Sequence, residues 1–594
     1  MPVPKKFPAE ELREILPFSE DASVRLLASS DQGEVPAWLS RTFAGRPPDA
    51  VAWPEDGSAS QRLLDLCARK EISVVPRGAG SFALGGALPA RGGIVCDLSR
   101  MRKILEVNSG ASTVTVEAGV RWFDLSETLK SYGLSVLSHP TSIFSTVGGW
   151  VATGGCGVGT IQNGPLSNQV ASLQVIYPTG ETKVLGRDDP EFPLLFGSEG
   201  QLGLISGITL KVRKCTGEFP YACTFEDEEE ALAWLSGLCR SGPIPFYAAV
   251  YSKEKVHKKN AFLGQPFLPE KCTALLVFDE LSHRDSVKSL PGALPISRAT
   301  YLWGQSFLPL RGKKLGLLGA EMVLPVSAIP GYMEAGRKLA ALAGASISTE
   351  IQLTEPDRAI VITSFPYDNR TEERRWVASI FSMALTAEAL RRKGVPYGLG
   401  VWLSGLASLK FPPPGLAKLK DLKARVDPKG ILNPGKFLAP PSGMVWLSRL
   451  GRTGSKLVLG LLGDLSVPEE TQSPGTWETA LSSCSKCGNC IPRCPAYLAV
   501  GDERVTARGK LLLATALRDG SLAPPEAQTL FLCMHCKLCT EVCQSDIPLE
   551  TVFFELEEKV ASLYGRPEER INEFLKRVKD LHLMENLPIS KEAS

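Results

Sequence analysis

The pattern of apolar and polar positions changes character three times along the 594-residue chain. Between about residues 50 and 215, short apolar runs alternate with glycine-rich breaks. Ile94, Val95, Cys96, Asp97 and Leu98 read as one strand, and the alternating Thr113, Val114, Thr115, Val116 and Glu117 as another. Residues 72–75 form a further apolar strand, and this part reads as α/β. From 216 to 440 the period lengthens: residues 227–239 and 332–345 carry helical spacing and alternate with strand-like 273–278 and 358–364. That mixture predicts an α+β unit. A Pro-rich break, Leu438, Ala439, Pro440, Pro441 and Ser442, opens a stretch expected to be loosely packed until Trp477. Beyond it the chain reads as mainly helical. In the tail Phe553, Leu556, Val560 and Leu563, then Ile571, Phe574, Leu575 and Val578, recur at helical intervals.

Composition narrows the partners. With 66 basic and 64 acidic side chains, no net field favours nucleic acid or an anionic membrane. The acidic run Glu226 to Glu230 and the pairs Lys258, Lys259 and Lys313, Lys314 read as solvated surface and helix ends. Lys5 and Lys6 have no apolar core behind them, so the first residues do not read as a signal peptide. No apolar run approaches the roughly 18 residues that span a bilayer, the nearest being the short 457–462. A cytoplasmic, reducing compartment is expected, with membrane contact only through a partner.

Eight of the fifteen cysteines repeat one pattern, C-x2-C-x2-C-x3-C. Cys484, Cys487, Cys490 and Cys494, followed by Pro495, make the first copy, and Cys533, Cys536, Cys539 and Cys543 the second. Two residues between successive cysteines let three sulfurs converge from one tight turn, which is the ligand spacing of a pair of [4Fe-4S] clusters. In two-cluster ferredoxins the last cysteine of each run serves the other cluster, which would join Cys494 to the second triad and Cys543 to the first. Pro495 is expected to stop any helix there, and Ser485, Lys486, Gly488 and Asn489 to ease the turn. A disulfide framework suits short secreted chains, and zinc rarely takes three cysteines at successive C-x2 steps. His535, inside the second run, reads as a donor to a cluster sulfur, since four cysteines already suffice. The other seven cysteines, Cys67, Cys96, Cys156, Cys215, Cys223, Cys239 and Cys272, lack metal spacing and read as buried free thiols.

A second signal lies in four glycine-rich segments. Pro76, Arg77, Gly78, Ala79, Gly80 and Ser81 follow the 72–75 strand and precede Gly85 and Gly86. Such a loop exposes N–H groups to phosphate, yet it fits neither the dinucleotide fingerprint nor the Walker loop. Pro140, Thr141 and Ser142 then lead to Thr146, Val147, Gly148 and Gly149, with Gly154 and Gly155 beyond. Next comes the run Gly197, Ser198, Glu199, Gly200, Gln201, Leu202, Gly203, Leu204, Ile205. The last is Asp427 to Lys436, containing Asn433.

In that order, with Glu321, Met322, Val323, Leu324 and Pro325 between them, the segments resemble the FAD-linked oxidases of the vanillyl-alcohol oxidase superfamily, especially the glycolate oxidase and D-lactate dehydrogenase branch. The cysteine region resembles the iron–sulfur subunit of bacterial glycolate oxidases, fused here to the flavoprotein. The resemblance implies an α+β protein: a two-subdomain FAD-binding fold with an α+β substrate cap, followed by a mainly helical two-cluster ferredoxin-like domain. The expected boundaries are an N-terminal segment 1–44, FAD-binding domain 45–215, cap 216–440, linker 441–476, and helical [4Fe-4S] domain with tail 477–594. It further implies that Arg77 to Ser81, Gly85 and Gly86 wrap the FAD pyrophosphate. Pro140 to Ser142 and Thr146 to Gly149 would line the flavin. Gly154, Gly155, Gly200 and Gly203 would permit close approach, Ile205 in the same segment as the last two would also bind the cofactor, and Asn433 and Lys436 would close the site from the cap side.

Two departures shape the expected chemistry. The first glycine loop has no histidine, so FAD is expected to bind without a covalent link. Where related 2-hydroxyacid dehydrogenases present metal-binding histidines, this chain reads Gly394 to Trp402 with none, its five histidines being His139, His257, His283, His535 and His582. Catalytic candidates are therefore His139, next to the flavin-lining Pro140, together with Arg311 and Tyr397; Trp303, Trp402 and Arg425 are further ones, each also readable as packing or an ordinary ion pair. The expected function is an FAD-dependent dehydrogenase that oxidises a small organic substrate, a 2-hydroxyacid by resemblance, and passes electrons through two [4Fe-4S] clusters to a protein or quinone-linked acceptor. The alternative is an electron-transfer subunit whose flavin meets no organic substrate.

Overall fold

The structure is a computed structural model that describes residues 7–583 apart from 35, 45–46, 288–291, 307–315, 450–458, 461–463 and 467–476. Arg311 and the pair Lys313, Lys314 lie outside the described residues.

The first half forms two sheets. Phe18–Ser19, Ala50–Ala52, Ile94–Asp97 and Val74–Arg77 make a four-stranded sheet in that order, parallel except at its first edge. The 72–75 strand is thus displaced toward Arg77, because Val74 and Val75 are the residues that pair with Ile94 and Val95. An antiparallel six-stranded sheet follows, centred on Leu204–Lys214, with Thr113–Glu117 and Val170–Ile176 on its two sides. Helix Gly57–Lys70 buries Leu63, Leu64, Leu66 and Cys67. Its start is fixed by Asp56, whose carboxylate accepts the Ala59 N–H at 2.7 Å.

The cap is a seven-stranded antiparallel sheet in the order Phe219–Phe225, Cys272–Phe278, Tyr247–Tyr251, Ser348–Glu355, Arg358–Tyr367, Gly316–Pro325, Val395–Pro396. Helices Glu228–Ser241, Ile329–Leu342 and Glu372–Arg391 pack on it. The acidic run opens the first of these: Asp227 caps it at Glu230 N, 2.9 Å away, and Glu228 to Glu230 sit in its positive first turn.

The cysteine domain is helical among its described residues. Pro495, expected to stop a helix, occupies the first position of helix Pro495–Val500, where its missing N–H leaves no intrahelical bond unmade. The tail divides into Leu549–Tyr564 and Glu568–Asp580. Phe553, Leu556, Val560, Phe574 and Val578 are buried, but Leu563, in the last turn of the first helix, and Leu575, on the second, are exposed.

Two segments pack more closely than the sequence indicates. In the 441–476 stretch, Met444, Leu459 and Leu465 are buried, the last two in the cap core. The N-terminal segment straps the units together: Glu34 accepts Tyr367 Oη at 3.1 Å and Asn369 Nδ2 at 2.8 Å, Trp38 stacks on Trp376 with centroids 4.6 Å apart, and Ser23 N donates to Glu526 Oε1 at 3.0 Å. Among the described residues no helix is long and apolar enough to cross a membrane.

Phe381 is fully buried in the cap, edge-on to Phe365 at 4.6 Å. Phe381→Ala is expected to cost about 3–5 kcal/mol in urea unfolding followed by circular dichroism, and a loss below about 1 kcal/mol would show that the cap does not depend on this contact.

Candidate functional site

A cavity of about 720 Å³ runs between the glycine-rich loops, the cap sheet and the cysteine domain. Strand Val74–Arg77 delivers Pro76, Arg77, Gly78, Ala79, Gly80 and Ser81 to its wall, and Gly86 follows. Pro140, Thr141 and Ser142, then Thr146, Gly148 and Gly149, form the facing wall, with Gly200, Gly203 and Ile205 beyond. The remaining residues expected here stand behind it. Val147 is core, Gly154 ends helix Val147–Thr153, and Gly155 packs on Leu166. Gly85 N donates to the buried Asp31 carboxylate at 2.7 Å, so it shapes the loop from outside.

Asn433 and Lys436 also differ from expectation. Both are buried away from the cavity: Asn433 Nδ2 donates to Gly86 O at 3.1 Å and Glu199 O at 2.7 Å, and Lys436 Nζ donates to Leu88 O at 2.6 Å. They hold the loops that line the site. Burial pushes the Lys436 ammonium down to about 7, so its backbone contact does not require a fixed charge.

The donor set fits a flavin dinucleotide. The volume lies within the span of cofactor pockets, about 300–1,000 Å³. At Gly78 a Cβ would stand 2.3 Å from Thr146 Oγ1, the atom that caps the next helix at Gly149 N. Trp402 Nε1 and Gln544 Oε1, both on residues of the wall, are buried with no protein hydrogen-bond partner among the described residues, a donor and an acceptor suited to a polar ligand.

On the cap side the wall is mostly apolar, with Leu317, Leu318, Ile360, Ile362 and Met383, and ends in a polar corner. There Lys255 pairs with Glu350, which also accepts Gln352 Nε2 at 2.7 Å and Tyr247 Oη at 3.1 Å. Tyr397 is on the wall, its hydroxyl within 3.1 Å of both the N–H and the carbonyl of Cys156. The histidine-free Gly394 to Trp402 segment is anchored by Glu199, whose two carboxylate oxygens accept Leu399 N and Gly400 N at 2.7 Å each. His139 is not on the wall. It is buried behind Pro140, whose carbonyl lies 3.0 Å from its Nδ1, and burial lowers its proton affinity. Trp303 donates to Glu218 at 2.7 Å within the cap, and Arg425 pairs with Glu191 at 3.2 Å.

Sequence reasoning missed Glu321. It lines the cavity from the cap strand Gly316–Pro325, and desolvation pushes its carboxyl up to about 7 against the opposing pull of Lys410. Only the quoted segment Glu321 to Pro325 pointed toward it, without a role.

The cysteines gather in two groups. Cys543 lies within electrostatic reach of Cys484 and Cys487, and Cys494 within reach of Cys533, Cys536 and Cys539. The two runs share a backbone signature: Lys486 and His535, just before each middle cysteine, have φ of 54° and 47°, and Gly488 and Lys537, just after, have 79° and 62°. Cys484 and Cys487 belong to the cavity wall. His535 N donates to Cys533 Sγ at 3.5 Å, while its ring stacks on Phe554 at 4.3 Å and its Nε2 lies 3.1 Å from Glu557. Of the other cysteines, Cys215 is exposed and Cys156 is half-buried on the cavity wall, unlike the buried thiols expected; Cys67, Cys96, Cys223, Cys239 and Cys272 are buried.

Gly78→Ala is expected to reduce flavin per purified protein at least tenfold while iron content holds, because the new methyl displaces the Thr146 cap; absorbance and iron assay check it, and unchanged flavin would show that the loop is not the binding wall.

Comparison with known proteins agrees with this geometry. Residues 48–186 match the family described as FAD binding domain, 220–437 the FAD linked oxidases C-terminal domain, and 480–547 the 4Fe-4S dicluster domain. The chain is 31% identical over 268 residues to alkyldihydroxyacetonephosphate synthase of Trypanosoma brucei brucei, covering 43% of this chain and 44% of that one, so it spans less than half of that relative. It is 26% identical over 457 residues to a D-lactate dehydrogenase of Anaerostipes hadrus, covering 71% of this chain and 96% of the other. A solved alkyldihydroxyacetonephosphate synthase superposes with a TM-score of 0.58 at 22% identity over 73% of this chain and 87% of that one, which shows a shared fold. With flavin-type segments, cap and cysteine runs each matched in chain order, the protein is an oxidoreductase related to the FAD-linked oxidases and carries a 4Fe-4S domain in the same polypeptide.

Proposed function

We propose that the protein is a dehydrogenase that oxidises a small 2-hydroxyacid, holds FAD without a covalent link, and sends electrons through two [4Fe-4S] clusters to a protein or quinone-linked acceptor. The observation that carries the reading is the single cavity whose wall includes both the glycine loop Gly78 to Ser81 and Cys484 and Cys487. When bound, FAD supplies acceptance of two electrons and their release one at a time, and the clusters supply single-electron carriage. Cys484, Cys487, Cys490 and Cys543 would hold the cluster nearer the flavin cavity, and Cys533, Cys536, Cys539 and Cys494 the farther one, where the acceptor docks. Thiolate ligands of this kind persist in a reducing compartment, and the proposed location is the cytoplasm.

The chain's own chemistry concerns the proton. Oxidising a 2-hydroxyacid to a 2-oxoacid releases the hydroxyl oxygen's proton and removes the α-hydrogen with its bonding electron pair, the hydride that bound FAD would accept. Glu321 takes that proton: it lines the cavity, and its desolvated carboxyl is a stronger base than an exposed one. Leu317, Leu318, Ile360 and Ile362 exclude water, while Lys255, Glu350 and Gln352 offer polar contacts at the far corner. Tyr397 orients the Cys156 loop through its two backbone contacts rather than titrating, since burial raises its phenol far above its usual value.

Two experiments test the reading. Anaerobic titration with a panel of 2-hydroxyacids is expected to bleach the flavin and reduce the clusters together, and bleaching by none of them would favour the pure relay. With an active substrate, kcat/KM is expected to rise with pH through about 7, because Glu321 acts only when deprotonated; Glu321→Gln is expected to remove that limb and lower the rate about 10²–10⁴-fold, and a retained limb would remove Glu321 from the mechanism.

A further inference from the structure

A buried charge cluster lies where the glycine loop meets the cysteine domain. Arg508, on helix Ala507–Arg518, has a side chain only 4% exposed. Its Nε donates to Glu503 Oε1 at 2.7 Å. Its Nη1 donates to the carbonyl of Ala79 at 3.1 Å and to that of Lys486 at 3.2 Å. One guanidinium thus ties the cavity loop to the loop of the first cysteine run. The cysteine loop is shaped for this approach: Gly488, between Cys487 and Cys490, has φ +79°, and a Cβ there would stand 2.8 Å from Arg508 Nη1. Cys490 and Cys487 both lie within electrostatic reach of the guanidinium.

We propose that Arg508 sets the reduction potential of the cluster held by Cys484, Cys487, Cys490 and Cys543, raising it so that electrons from the flavin cavity pass to it readily. The inference rests on the two-cluster reading above. Reduction adds one electron, hence one negative charge, to the cluster, and no bond is made or broken. A fixed cation beside it in a poorly solvated seam stabilises the reduced form more than the oxidised one. Glu503 partly offsets that cation, so the pair sets the field together. Arginine suits the place because its fork reaches two carbonyls and a carboxylate while remaining charged.

The test is an anaerobic redox titration of the full-length protein, followed by electron paramagnetic resonance, with iron and sulfide counted on every sample. The wild-type iron and sulfide counts test the cluster reading itself, and the midpoints test Arg508. Arg508→Met is expected to retain iron and to lower one of the two midpoints by at least a tenfold change in electron-transfer equilibrium, about 59 mV for one electron. Arg508→Lys is expected to restore most of that shift through charge alone. Unmoved midpoints in iron-replete Arg508→Met overturn the proposal, as does an equal fall in both variants. Should Arg508→Met lose iron, Glu503→Gln decides: it is expected to raise the same midpoint, and an unchanged or lowered midpoint overturns the proposal.

Discussion

The architecture depends on a seam in which charged groups are buried between the glycine loop and the cysteine domain. Arg77, Asp97, Arg121, Glu503 and Arg508 line one small chamber there. Desolvation works against every one of them, as the raised Asp97 and the lowered Arg77 and Arg121 show. A buried charge is tolerable only with a partner in place, and removing one partner leaves the other uncompensated. The seam therefore penalises any arrangement in which the cysteine domain drifts from the flavin-type domain. This constraint holds the glycine loop and the first cysteine loop together where weak surface pairs would not.

The N-terminal segment completes that docking from the other side. Asp31 reaches Gly33 N and Gly85 N, Glu34 reaches the cap at Tyr367 and Asn369, and Lys486 in the first cysteine loop lies 3.8 Å from Glu34. Gln32, Gly33 and Glu34 belong to the cavity wall. A segment of ordinary composition is thus a joint among three units. Its few polar contacts acquire weight because each is shared between elements far apart in sequence, so loosening one disturbs two walls of the same cavity.

The absence of histidine in Gly394 to Trp402 has a structural counterpart. That segment is fixed by Glu199 through backbone N–H groups, and Gly400 sits against Leu84, whose carbonyl oxygen would stand 1.8 Å from a Cβ at that position. The wall beside it is apolar, with Glu321 as a carboxyl of raised proton affinity. Close to the same segment the chain has a desolvated carboxyl, since Tyr397 N donates to the Glu321 carbonyl at 3.3 Å.

Spacing along the chain was enough for features whose physics is local. The C-x2-C-x2-C-x3-C runs, the glycine loops and the alternation of Thr113 to Glu117 each encode a turn or a strand in a few neighbouring residues, and the order of the segments carried the family. Burial and long-range pairing decided the rest. Val74 and Val75 took their register from Ile94 and Val95, Pro495 opened a new helix directly after the one that ends at Arg493, and Leu563 and Leu575 stayed exposed. Asn433 and Lys436 proved to brace loops from behind, His139 lay behind the wall, and Glu321 and Arg508 gained their positions only when a cap strand and a distant helix were packed against the glycine loop. Sequence by itself determined which cofactor-shaped loops exist, because backbone geometry follows from adjacent residues. Tertiary structure alone decided which side chains face them, because desolvation and charge pairing are set by neighbours that the chain brings together from hundreds of residues away.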